Sequence, residues 1–115
     1  MNVYNEAHNL AQAIKECDET KQYKEMKEKL DAKPELASAV ADFMNHQMEL
    51  QYMQMQGQEP DEHLMGHIQE LYGILMSDPL AADYMQAEMR LSIMMNDVYK
   101  IIGEAIGAVE PAPEQ

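Results

Sequence analysis

The sequence predicts an all-α protein built around a long antiparallel helical hairpin, with additional N-terminal helices, assembled as an oligomeric bundle. Three observations carry this. Apolar residues recur at 3.6-residue spacing through most of the chain, and no stretch alternates with period two. Strong helix-breaking signals before the tail fall around Pro34, around Gly57–Pro60 and around Ser77–Pro79. The last segment carries two apolar stripes. Leu80, Tyr84, Ala87, Leu91, Met94, Val98, Ile101 and Ala105 form one, and Met85, Met89, Met95, Tyr99, Ile102 and Ile106 run beside it. One helix with both stripes needs partners on two flanks.

The elements follow in order. Val3, Ala7, Leu10, Ile14 and Cys17 are spaced 4,3,4,3, which predicts a first helix over about 3–17. Asp18 is placed to cap a second helix reaching about Asp31. That helix has a thin stripe of Tyr23, Met26 and Leu30, with Glu25 four residues before Lys29 on its charged side. Lys33-Pro34-Glu35 breaks and restarts the helix, because proline is tolerated in a first turn but disfavours helix in the residue before it.

The third helix runs to about Gln56. Leu36, Val40, Phe43 and Leu50 lie on one side, and Met44, Met48, Tyr52 and Met55 on the next. Gln47 and Gln54 interrupt the first stripe at heptad positions, where a polar residue sets register or oligomer state at some cost in stability. Gly57 suits the left-handed position after a helix end, and Pro60 is expected to open the fourth helix. Leu64, Ile68, Leu71 and Leu75 face inward there, while Gly66 and Gly73 either weaken the helix or allow close backbone approach. Asp78 as N-cap and Pro79 as first residue start the fifth helix, which is expected to reach Ala108. Residues 1–108 are read as a single helical domain and 109–115 as a disordered acidic, proline-containing tail.

At 1.5 Å per residue a helix over 79–108 is about 45 Å long. A compact domain of this size is roughly 35 Å across. The overhang, with Ile101, Ile102 and Ile106, calls for a second chain, so a homodimer or higher even oligomer is expected. The candidate interface is Met85, Met89, Met95, Tyr99, Ile102 and Ile106.

Composition narrows the function classes. Net charge is −13, but residues 1–33 hold six Lys against seven acidic residues, whereas residues 34–115 hold only Arg90 and Lys100 against fourteen. Phosphate binding needs clustered cations, so neither nucleic acid nor an anionic membrane is a direct ligand. A solvated acidic exterior explains the charge, with a basic protein partner as the second reading. The twelve methionines fill a core poor in aromatics, or supply an adaptable partner-binding face. The start lacks a basic, apolar leader and no run approaches the ~20 apolar residues of a membrane span, so a cytoplasmic protein is expected.

Residues suited to chemistry are few. His63 and His67 are four apart, which sets both imidazoles on one helix face as zinc-binding helices require. The zinc-protease pattern needs Glu after the first His, and Leu64 stands there. Two surface histidines are the plain alternative. His8 and His46 read as isolated. Met44 with Met48, and Met85 with Met89, are spaced to offer thioethers to Cu(I), and equally to fill a heptad core. Cys17 excludes an intrachain disulfide by being alone, and between Glu16, Asp18 and Glu19 it is expected to be a buried, inert thiol. No phosphate loop and no Glu-x-x-His pair appears. No catalytic residues, no cofactor and no enzymatic activity are expected.

Three blocks carry a resemblance. They are Val3-Tyr4-Asn5-Glu6-Ala7-His8-Asn9-Leu10-Ala11 with Ala13-Ile14 and Tyr23; Phe43 through Gln47 with Leu50, Gln51 and Gln56-Gly57-Gln58-Glu59; and Glu88-Met89-Arg90-Leu91-Ser92-Ile93-Met94-Met95-Asn96-Asp97 with Ile101-Ile102. In their order and spacing, over about residues 3–107, the chain resembles the YheA/YmcA/YlbF-like family of small helical bacterial proteins. The last block is most similar to the uncharacterised YheA branch. The resemblance implies an all-helical fold with a long antiparallel hairpin, found as dimers or larger assemblies. It implies a protein partner, since the YmcA and YlbF relatives act with YaaT on the endoribonuclease RNase Y and influence competence, sporulation and biofilm formation. Some of those relatives bind iron–sulfur clusters through cysteines, and the single Cys17 departs from that pattern. The function expected is a non-enzymatic interaction or adaptor protein that self-associates and binds a protein partner. The alternatives are a small metal-binding protein using His63 and His67, and a purely structural oligomer.

Overall fold

A computed structural model describes residues 2–108, and these form five helices with no strand among them. The helices are α1 (Val3–Glu16), α2 (Asp18–Asp31), α3 (Pro34–Met55), α4 (Glu62–Met76) and α5 (Pro79–Ala105). The all-α expectation holds. The tail expected over 109–115 lies outside the described residues.

The helix ends show why these segments begin and stop where they do. Asn2 caps α1, its Oδ1 accepting from the Tyr4 and Asn5 backbone N–H groups at 2.8 and 3.3 Å. Asp78 caps α5 as its sequence suggests, with Oδ1 accepting from Leu80 N at 2.9 Å and Pro79 following as the first helical residue. At the end of α3, Gly57 takes φ +74°. Gly57 N then donates to Gln54 O and Gln58 N to Met53 O, the paired bonds of a Schellman ending. Gly107, at φ +77°, closes α5 in the same way, with Gly107 N donating to Glu104 O and Ala108 N to Gly103 O. This stops α5 at Ala105, three residues before the expected end.

Two starts differ from their sequence reading. Asp18 does not cap α2 but is its first residue. Cys17 takes the cap position: its backbone is extended (φ −72°, ψ 156°) and its carbonyl accepts the first bond, from Lys21 N. Asp18 and Glu19 instead place negative charge on the first turn, where the helix dipole favours it. Pro60 does not open α4. Asp61 caps that helix through Oδ1 to His63 N at 2.9 Å, so Pro60 ends the preceding loop.

The chain forms two compact units. The first comprises residues up to Lys24 together with those from Gln86 onward. In it, no residue of α1 is buried; Ile14 and Cys17 are half-buried. Cys17 Sγ donates to Ile14 O at 3.0 Å and lies 3.7 Å from Met94 Sδ. Arg90 donates to the Gln22 side-chain oxygen, and Ala87 and Thr20 are buried.

The second unit runs from Glu25 to Met85. Its core is Leu30, Val40, Phe43, Leu75, Ala81 and Tyr84. Here α3 and α4 pack as a hairpin. The Phe43 ring meets Tyr72 with centroids 5.9 Å apart, and His46 meets His67 at 4.9 Å. Advancing along α3 means receding along α4, so the two helices are antiparallel. Gln47 and Gln54 point to solvent and leave the hairpin core apolar. The Glu25–Lys29 pair forms at 3.3 Å, but both side chains are more than half exposed, so it contributes about 0.3–0.5 kcal/mol at most.

Candidate functional site

The most conspicuous surface feature is apolar, and it lies on the last turns of α5 and the residue just beyond its end. Tyr99, Ile102 and Ile106 are 64%, 48% and 77% exposed. Their spacing of three and four residues sets them on one side of the helix. Met95, half-buried, begins the same row one turn earlier. Met89 is exposed and Met85 half-buried. Of the six candidate interface residues, four thus stand in water and two are partly covered within the chain. Five belong to the first unit and Met85 to the second. In α1, of the first unit, Val3, which begins the apolar stripe, and its neighbour Tyr4 are also largely exposed.

Single exposed apolar residues are ordinary on protein surfaces. A row of them along one helix is different, because each large side chain left in water forgoes about 1.5–3 kcal/mol of burial free energy. Such a row is chemically equipped to dock against another apolar helix face. It offers no nucleophile and no acid–base pair.

The polar candidates resolve differently. His63 is exposed, and its backbone N–H donates the capping bond to Asp61 Oδ1. His67 is exposed too, but its ring faces His46 of α3 at an interplanar angle of 75°. His46 was expected to be isolated. Nothing local signals the pairing, since its partner lies on the neighbouring helix of the hairpin and only the antiparallel register brings it near. Among the described residues no three His, Cys, Asp or Glu side chains converge as a metal set. The Met44–Met48 and Met85–Met89 pairs each combine one half-buried and one exposed thioether. The thiol of Cys17 is half-buried and engaged as a donor to Ile14 O.

The second unit also has an open depression of about 720 Å³ lined by Lys33, Pro34, Glu35, Leu36, Ala39, Ile74 and Asp78. Its charges are one amine and two carboxylates, and Asp78 is occupied in capping α5. No described helix is long and apolar enough to cross a membrane.

Five helices, three of them with side-chain N-caps, an antiparallel hairpin and an uncovered apolar row define a small all-helical protein with a surface suited to another protein. The sequence places it more closely. The family described as control of competence regulator ComK, YlbF/YmcA, matches residues 3–107, and the chain belongs to that family. It is 42% identical over 104 residues to a UPF0342 protein of Symbiobacterium thermophilum, covering 90% of this chain and 93% of that one. It is 39% identical over 105 residues to a UPF0342 protein of Caldicellulosiruptor saccharolyticus, covering 91% and 88%.

Two solved structures share the fold. One is a protein of unknown function (DUF964) from Bacillus stearothermophilus, with TM-score 0.71, 21% identity, and coverage of 90% of this chain and 91% of that one. The other is Bacillus subtilis RicA, solved in complex with RicF, with TM-score 0.56, 23% identity, and coverage of 90% and 92%.

Proposed function

We propose that this chain is a non-enzymatic cytoplasmic interaction protein that works as one domain over residues 1–108. It self-associates through the exposed side of α5, as a homodimer or higher even oligomer, and holds a protein partner whose activity it regulates. The observation that carries the reading is the row of Tyr99, Ile102 and Ile106, left in water at the end of a 27-residue helix. A second helix face laid on this row recovers the burial free energy that the isolated chain forgoes. Methionines at the start of the row suit a surface that repacks against more than one partner.

The family's description supports a regulatory role in competence. The RicA–RicF complex supports a partner that is itself a small protein. RNA processing or development is the setting that the resemblance implies for the partner. The acidic exterior favours a basic contact surface, so the association should weaken as salt rises.

The test is affinity capture from native lysate at low salt, comparing the wild-type chain with an Ile102→Glu/Ile106→Glu variant. The reading expects a specific partner retained by the wild type and lost by the variant. Absence of any specific partner at low salt contradicts it.

A further inference from the structure

A second uncovered apolar row lies on α3, in the second unit. Met48, Tyr52 and Met55 are 67%, 63% and 84% exposed, and half-buried Met44 begins the row. At 3.6 residues per turn the four fall within about 80° of one helix side, over roughly 16 Å. His46, whose ring faces α4, lies about 200° around the helix from Met48, so the row points away from the hairpin's other helix. The surroundings of the row carry one sign of charge. From Pro34 to Met89 the sequence has ten acidic residues and neither Lys nor Arg. Glu49 stands one turn before Tyr52, and Glu59, Asp61 and Glu62 follow the end of α3. A second copy of the chain brings the wrong charge to this face, since its lysine-containing residues 1–33 hold six Lys against seven acidic residues and the whole chain is −13.

We propose that the Met44–Met55 side of α3 docks a basic amphipathic helix of the protein partner, with an apolar stripe along one side and Lys or Arg around it. The apolar row supplies a contact about three turns long, which one helix packed along another can cover. Methionine is unbranched and polarizable, so it moulds to the stripe laid against it. The acidic surround attracts the partner's cations, speeds encounter and rejects acidic helices. This deepens the partner-binding part of the proposed function and rests on it, while α5 is left to self-association. Each copy carries one such face, so an assembly offers several to one partner. Loss of the α5 contact therefore weakens capture of a whole partner without changing the affinity for a single helix.

The test titrates the full chain with a synthetic peptide of about four helical turns, in which leucines at alternating spacings of three and four form a stripe and lysines fill the other positions. One control peptide has Glu in place of Lys, and another has the same composition with the leucines spread around the helix. Methionine methyl signals followed by NMR locate the binding on the wild-type chain. The proposal expects the Met48 and Met55 signals to move and that of Met94, packed beside Cys17, to stay. Binding should weaken as salt rises, and both control peptides should bind at least about tenfold more weakly. Met48→Glu/Met55→Glu should also weaken binding by at least about tenfold. That variant adds two negative charges, so attraction by charge alone would tighten its binding. Both side chains already stand in water, so its unfolding midpoint should match the wild type. Ile102→Glu/Ile106→Glu should bind the peptide as the wild type does. Unchanged or tighter binding by Met48→Glu/Met55→Glu overturns the proposal, as do still Met48 and Met55 signals or equal binding of either control. A wild-type chain that does not bind the lysine peptide overturns this surface alone, whereas a lysate without any specific partner overturns the partner-binding reading.

Discussion

Replacing Gly66 and Gly73 with alanine separates two roles that the sequence leaves open for them. The residues are seven apart on α4, so they share a helix face. If the glycines exist to admit another part of the chain, a methyl group should collide with it. A Cβ built at either position meets no atom within 4 Å. Neither backbone takes the left-handed conformation that would strain alanine. What remains is intrinsic propensity, in which glycine in a helix interior is worse than alanine by about 0.8–1.0 kcal/mol per residue. The two sites are two turns apart and share no contact, so their effects should add to about 2 kcal/mol. The assay is urea unfolding followed by helical circular dichroism, at one protein concentration because assembly shifts the midpoint. With m about 2 kcal/mol/M, the midpoint of the double variant should rise by about 1 M. An unchanged or lowered midpoint refutes the reasoning and means that these positions face something the single chain does not contain.

Other substitutions probe the core and the caps. Leu75 is completely buried, so Leu75→Ala should cost about 2.7–5 kcal/mol by lost transfer and cavity formation, read as a lowered urea midpoint. Asp78→Ala removes the acceptor for Leu80 N and should cost about 0.5–2 kcal/mol in the same assay, whereas Asp78→Ser should cost far less. Ile102→Glu with Ile106→Glu should leave helicity unchanged and abolish self-association, because both side chains are already in water in the single chain. Loss of helicity in that variant would show that these residues hold the chain's own fold together.

Much of the fold is legible in the sequence because its punctuation is local. Asp78-Pro79 caps and starts α5, and Gly57 ends α3, each through atoms within a few residues. The same holds for the inward stripe of α4, of which Leu75 is fully buried and Leu64, Ile68 and Leu71 are half-buried. Misreadings arise where two local signals compete. Asp18 and Cys17 both stand at the start of α2, and the better side-chain capper lost the position because Cys17 is where the backbone turns extended. Pro60 and Asp61 compete at α4, and there the aspartate's bond to His63 N decides.

The candidate site divides along the same line. The apolar row on α5 follows helical periodicity, so its spacing can be read from one segment. Its exposure cannot, because that depends on what the rest of the chain leaves uncovered. The His46–His67 pair was invisible, since it depends on the register of two helices joined by a loop. Family membership strengthens the regulatory reading of the apolar row but does not supply its partner, because a shared fold carries many functions.

The central claim is that the end of α5 is covered by another protein chain. Light scattering on the purified wild-type chain at micromolar concentration tests it most directly. A mass at least twice the 13.2 kDa of one chain, falling to that value in the Ile102→Glu/Ile106→Glu variant, is the result expected. A wild-type protein that scatters as a monomer contradicts the claim.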